Sequence, residues 1–168
     1  MKIWLFYTLI PALIIAADRV SKFFVRQNMA LGSQIPLIPG VFRLRHEVNS
    51  GAAFSLFANE SGRSWLLIIL SALIIIGIIY IIWTRKIDNC WAKIGLAFTL
   101  GGAVGNLADR IIFGVVTDFL DFYLINFAVF NVADIFITTG SVILIGYIIS
   151  MSAKERKAKK TKAAEDAE

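Results

Sequence analysis

The sequence predicts an all-α membrane protein: four transmembrane helices with a small β-rich extracytoplasmic cradle between helices 1 and 2. Three observations predict it. Of the 168 residues 58% are hydrophobic, and the mean hydropathy of +0.73 lies well above that of a soluble domain. Four apolar stretches, at 3–24, 65–83, 94–113 and 127–151, each approach the roughly 20 residues that cross a bilayer as a helix. Between the first two lies an extracytoplasmic segment, 25–64, with Gly/Pro punctuation and short alternating runs. Counting these spans leaves room for one membrane-embedded domain over 1–152 and a charged cytoplasmic tail over 153–168.

The first span is apolar until Asp18, Arg19 and Lys22. Its Lys2, apolar run and Ala16-Ala17 also fit a cleavable signal peptide. Apolar character resumes at Val20, Phe23, Phe24 and Val25, so an uncleaved span is expected. Segment 25–64 is too apolar for a free loop, and Val41 to Arg45 alternate as in a strand lying against the interface. The second span, "WLLIILSALIIIGIIYIIW", is uncharged with a Trp at each end, as interfacial anchors require. The third carries Asn106, Asp109 and Arg110 near its end, and the fourth carries Asn131 and Asp134. The tail, with six Lys/Arg from Lys154 to Lys162, should be solvated and coreless. Such a flank beside a membrane helix marks topology and lipid headgroups rather than nucleic acid.

Charge asymmetry sets the expected orientation. Lys2, the loop with Arg85, Lys86 and Lys93, and the basic tail all belong on the cytoplasmic side, with both termini inside. Depth can then be counted at 1.5 Å per residue. Asp18 falls ~22 Å across the first span, and Asp134 ~10 Å into the fourth from its outer start. Asp109 comes near the outer end of the third, and Asp118 and Asp121 lie in the outer link. Five carboxylates thus gather in the outer leaflet, where each must be paired, neutralised or hydrated. Asp18 and Lys22, four apart, can pair, whereas Asp109 needs Arg110 to bend back or a different partner. Asp118, Asp121 and Asp134 have no basic neighbour in sequence, and two carboxylates brought together share a proton, giving one acid and one base.

Cysteine and histidine narrow the chemistry. Cys90 is the only cysteine and His46 the only histidine. No intramolecular disulfide, cysteine-ligated metal or His relay is available, no cofactor is expected, and His46 reads as an ordinary loop residue.

The ordered motifs "DRVSK" (18–22), "NSGAAF" (49–54), "GGAVGNLADR" (101–110), "GVVTDF" (114–119) and "FNVAD" (130–134) resemble those of the lipoprotein signal peptidases, signal peptidase II. The resemblance covers roughly 1–152. It implies a membrane aspartic protease of the bacterial inner membrane that cuts a prolipoprotein just before a diacylglyceryl-modified cysteine and is inhibited by the cyclic peptide globomycin. It also implies that Asp118 and Asp134 are the catalytic pair, which decides against Asp121. Asp18, Lys22, Asn49, Gly51, Asn106, Asp109, Arg110 and Asn131 would shape the site and hold substrate. A lipidated prolipoprotein and membrane lipid are the implied partners, with a monomeric enzyme and no nucleic acid. The alternative from another class is a small ion- or proton-coupled transporter, since membrane carboxylates also relay protons.

Overall fold

A computed structural model describes residues 3–51, 65–84 and 87–165. Lys2, the motif residues 52–54, the rest of the outer segment to Ser64, and Arg85 and Lys86 lie outside the described residues, and so do the expectations placed on them.

The chain runs α1 (Ile3–Asn28), β1 (Gln34–Ile38), β2 (Phe42–Asn49), α2 (Trp65–Thr84), α3 (Cys90–Phe113), β3 (Val116–Asp121), a 3₁₀ turn (Tyr123–Ile125) and α4 (Val132–Glu165). Among the described residues, α2, α3 and α4 are long and apolar enough to cross a membrane. At 26 residues α1 is long enough as well, about 39 Å, but its second half carries Asp18, Arg19, Lys22 and Arg26. Asp18 and Lys22 are fully buried, so those charges point into the protein.

Helix α3 is the axis. Its apolar window is 56% buried, against 6% for α2 and 11% for α4, and α1, α2 and α4 all pack on it. Small residues make that possible. A Cβ on Gly101 would stand 2.9 Å from Cβ of Ile14 in α1, and one on Gly95 would stand 3.0 Å from the Gly140 carbonyl oxygen in α4. Without lipid-to-water contrast to drive them together, membrane helices associate through such close backbone approaches. Asn89 caps the start of α3 by accepting from the Ala92 N–H at 3.1 Å, and Gly114 ends it in the left-handed region at φ 80°.

The strands form one antiparallel sheet in the order β1-β2-β3. The expected cradle between the first two helices is therefore incomplete as predicted. Its third strand comes from the link between α3 and α4, pairing Glu47 with Asp118, Val48 with Thr117 and Asn49 with Val116. His46 lies on β2, not in a loop, and is buried with Nδ1 2.8 Å from the Met29 carbonyl. Two further boundaries differ from expectation. The helical part of the last span begins at Val132 rather than near 127, and it continues through most of the tail to Glu165.

Candidate active site

The site forms where β3 meets the start of α4. Phe130 bridges to Leu120, its N–H donating to the Leu120 carbonyl at 3.0 Å and its carbonyl accepting from Leu120 and Phe119 at 2.8 and 2.9 Å. This pins the entry of α4 to the strand that carries Asp118. Asn131 then caps α4: its Oδ1 accepts from the Asp134 N–H at 3.1 Å, while Asp134 Oδ2 accepts from the Asn131 N–H at 3.1 Å. It is a capping box with Asn and Asp in the usual Ser/Thr and Glu roles, satisfying two orphan donors of the helix start. The pattern N-x-x-D was legible in the sequence. Read as interior positions of a membrane span, it concealed where the helix begins.

Each of the two aspartates receives one side-chain or backbone donor per oxygen. Asp134 accepts from Asn106 Nδ2 at 2.7 Å and from the Asn131 N–H. Asp118 accepts from Asn131 Nδ2 at 2.6 Å and from Asn49 Nδ2 at 3.0 Å. Asn131 therefore touches both, and it is fully buried.

The orientation of all three asparagine amides is dictated by groups that can only donate. The Gly51 N–H holds Asn49 Oδ1 at 2.8 Å, the Asp134 N–H holds Asn131 Oδ1, and Lys22 Nζ holds Asn106 Oδ1 at 2.9 Å. With every carbonyl oxygen occupied in this way, every NH₂ must face a carboxylate or a neighbouring amide oxygen. Gly51 sits at φ +79°, where a side chain would be strained and would also meet Leu67, so this turn calls for glycine.

Beneath the pair lies an ionic layer. Lys22 Nζ stands 2.8 Å from Asp18 Oδ2 and 3.3 Å from Asp109 Oδ2, all three fully buried. Asp18 Oδ1 accepts from the Ala133 N–H at 3.0 Å, tying α1 to α4 beside Asp134. Asp109 finds its other partners in α1 rather than in Arg110: Arg19, and Arg26 at 3.4 Å, together with the Thr117 N–H of β3 at 3.2 Å. Arg110 places its charge near Asp134 and Asp118 first, and near Asp109 after them. Asp121, the rival carboxylate, is bound by Arg43 Nε at 2.6 Å and so is neutralised by a cation.

Asp118 is 3% exposed, and burial pushes its carboxyl up to about 6. The charge of Asp134 adds to that rise, while the donors on Asn131 and Asn49 and the Lys22 charge oppose it. Asp134 opens onto a groove of about 550 Å³ that Asn49, Phe127–Phe130, Ile135, Thr138 and Thr139 line. No group of three or more His, Cys, Asp or Glu is placed to hold a metal among the described residues.

Residues 10–150 match the family model described as Signal peptidase (SPase) II. The chain belongs to the signal peptidase II family. Similar relatives in that family are the lipoprotein signal peptidases of Brevibacillus brevis and Clostridioides difficile. The first is 45% identical over 84% of this chain and 93% of the relative, and the second 39% identical over 89% and 99%. That of Gloeobacter violaceus is 48% identical over 87% of this chain and 83% of the relative. Two solved bacterial membrane enzymes, determined by the in meso method at 2.3 and 1.9 Å, share the fold. They give TM-scores of 0.78 and 0.76 at 25% and 26% identity, covering 88% and 84% of this chain and 90% and 91% of theirs. As a signal peptidase II, the chain is a membrane-embedded aspartic peptidase.

The structure gathers Asp18, Lys22, Asn49, Gly51, Asn106, Asp109, Asn131, Asp118 and Asp134 into one connected network, with Arg110 beside it. Arg19, Arg26 and Thr117 belong to it too and were not singled out from sequence. One signal could have found the arginines: seven residues apart, they share one face of α1.

Proposed function

We propose that this peptidase removes the signal peptide of a diacylglyceryl-modified prolipoprotein by cutting just before the lipidated cysteine, with Asp118 and Asp134 as a general acid–base pair. The observation that carries the reading is the bridging by Asn131 of the buried Asp118 carboxylate and the half-buried Asp134 at the groove, with one N–H donor on each oxygen. One carboxylate of such a pair stays ionised while its neighbour keeps a proton. We assign the proton to Asp118, the carboxyl that burial raises. Asp134, ionised at the mouth of the groove, takes a proton from water; the resulting hydroxide adds to the scissile carbonyl carbon while Asp118 donates to the carbonyl oxygen. As the tetrahedral intermediate collapses, Asp134 gives its proton to the leaving amine and Asp118 takes one back from a hydroxyl of the intermediate, which restores the starting pair. Arg110 offsets the developing negative charge.

In this reading the domain spans 1–152, α1 is the fourth crossing helix, and both termini are cytoplasmic. The dyad then lies near the outer leaflet, where water and acyl chains both arrive. The groove beside Asp134 suits a lipidated peptide, apolar on its Phe127–Phe130 wall and hydroxylic at Thr138 and Thr139. Asp118→Asn and Asp134→Asn should each abolish cleavage of a lipidated prolipoprotein while the protein still unfolds cooperatively in detergent. Full activity in either variant sinks the dyad, and equal cleavage of the unlipidated precursor sinks the substrate assignment.

A further inference from the structure

Away from the groove, α1 and the end of α3 border a second open cleft of about 810 Å³, lined by Arg19, Arg26, Val20, Phe23, Phe24 and Phe113. From these residues we infer a binding site for one glycerophospholipid, its phosphate on Arg19 and Arg26 and an acyl chain along α1. The inference is independent of the peptidase chemistry.

Charge is the first support. The layer beneath the dyad contains three cations, Arg19, Lys22 and Arg26, against two anions, Asp18 and Asp109. One positive charge is left over. Asp18, Lys22 and Asp109 are fully buried, so the surplus is presented by the two half-buried arginines. A phosphodiester carries one negative charge and accepts from guanidinium forks in the geometry Arg favours.

Donor supply is the second. Both guanidiniums use Nη1 on Asp109, and that of Arg26 also donates to Thr117 Oγ1 at 2.8 Å. Nε and Nη2 of each have no acceptor among the described residues. Both heads are also fixed in place: the Arg26 guanidinium carbon lies 4.3 Å and that of Arg19 5.6 Å from the Phe113 ring centre. Rigid, partly unsatisfied arginines make a preformed anion site, since less side-chain entropy is lost on binding.

The apolar surroundings select a lipid over a free anion. Val20, Phe23 and Phe24 are each more than half exposed, and the exposed face continues through Leu13 and Leu9 toward the other end of α1. A phosphate at Arg19 and Arg26, in the last ten residues of the helix, sits at headgroup depth when α1 crosses the bilayer. Its acyl chain then follows that face inward.

Native mass spectrometry of the full-length protein in detergent tests the site. Phosphatidylglycerol should bind one to one, and diacylglycerol, which lacks the phosphate, at least about fivefold more weakly. Inorganic phosphate at equal concentration should not displace it. Replacing both arginines by Gln should weaken phosphatidylglycerol further, although it also strips Asp109 of partners. Gln27→Glu avoids that difficulty, because Gln27 lines the cleft, is exposed, and adds a carboxylate without touching Asp109. It should weaken phosphatidylglycerol by roughly fivefold. Equal binding of diacylglycerol, displacement by phosphate, or unchanged binding in Gln27→Glu each overturns the assignment.

Discussion

Asn49 shows how a single amide tunes the site. Its NH₂ donates to Asp118 Oδ2, and that bond favours the carboxylate, opposing the rise that burial imposes. With Asp118 as the protonated partner, kcat/KM should fall as pH rises through about 6. Removing the donor in Asn49→Ala raises the carboxyl further, so the falling limb should move to higher pH; a pH–rate profile on one lipidated substrate reads it directly. The same raised value has a stability sign. The folded protein holds this proton more tightly than the unfolded chain does, so the contribution is full below 3.8 and is lost as pH passes about 6. Lys22 tunes differently, by fixing Asn106 and neutralising Asp18 at once. Lys22→Met should destabilise the protein by about 3–5 kcal/mol, the cost of leaving one partner of a buried pair uncompensated, measured as a lowered unfolding midpoint in detergent. A loss below 1 kcal/mol would mean that Asp18 is protonated in the native state.

At the scale of elements, the proposed mechanism makes the approach of α3 to α4 decisive, because Ala133 and Asp134 are neighbours on the helix that α3 supports. A Cβ at Gly102 would run into the Ala133 carbonyl and stand 2.7 Å from Ile137. Gly102→Ala should therefore push α4 outward, with a stability loss of ~1–3 kcal/mol. A displacement of about 1 Å at Asp134 should lower kcat by roughly a hundredfold. If kcat held while only stability fell, α4 would be positioned by its cap on β3 instead. These elements were unequally legible in the sequence. Helix α2 was plain because it is free of charge over its whole length. Strand β3 was not, because six residues between two helices become a strand only when β2 offers its edge. The start of α4 was misplaced because Phe127 and Phe130 read as membrane residues. In the fold, Phe130 packs against Phe122 and Phe127, beside the sheet. The cations that meet Asp109 lie some 83 to 90 residues away in α1, a separation that no local spacing rule can see.

Over the whole molecule, the decisive question is which way the bundle stands in the bilayer, since a site at the outer leaflet meets a lipid-anchored substrate only on that side. In the proposed orientation, which rests on the positive-inside pattern, the α2–α3 loop and the α4 extension are cytoplasmic and the sheet is outside. Cys90, the only cysteine and an exposed one, opens α3 on the expected inner side, which makes the native chain its own topology probe. In intact cells a membrane-impermeant maleimide should leave Cys90 unmodified, and permeabilised cells or inside-out vesicles should label it. In a Cys90→Ser background, a cysteine at exposed Ile38, at the end of β1, should show the opposite pattern, reacting from outside without permeabilisation. Cys90 begins α3, the helix that carries Asp109, and Ile38 lies on the sheet whose β3 carries Asp118, so the two probes together test the side of the network as well as that of the loop. Labelling of Cys90 from outside would invert the bundle and place the carboxylates on the cytoplasmic face, where an exported, lipid-anchored precursor is no longer presented to them.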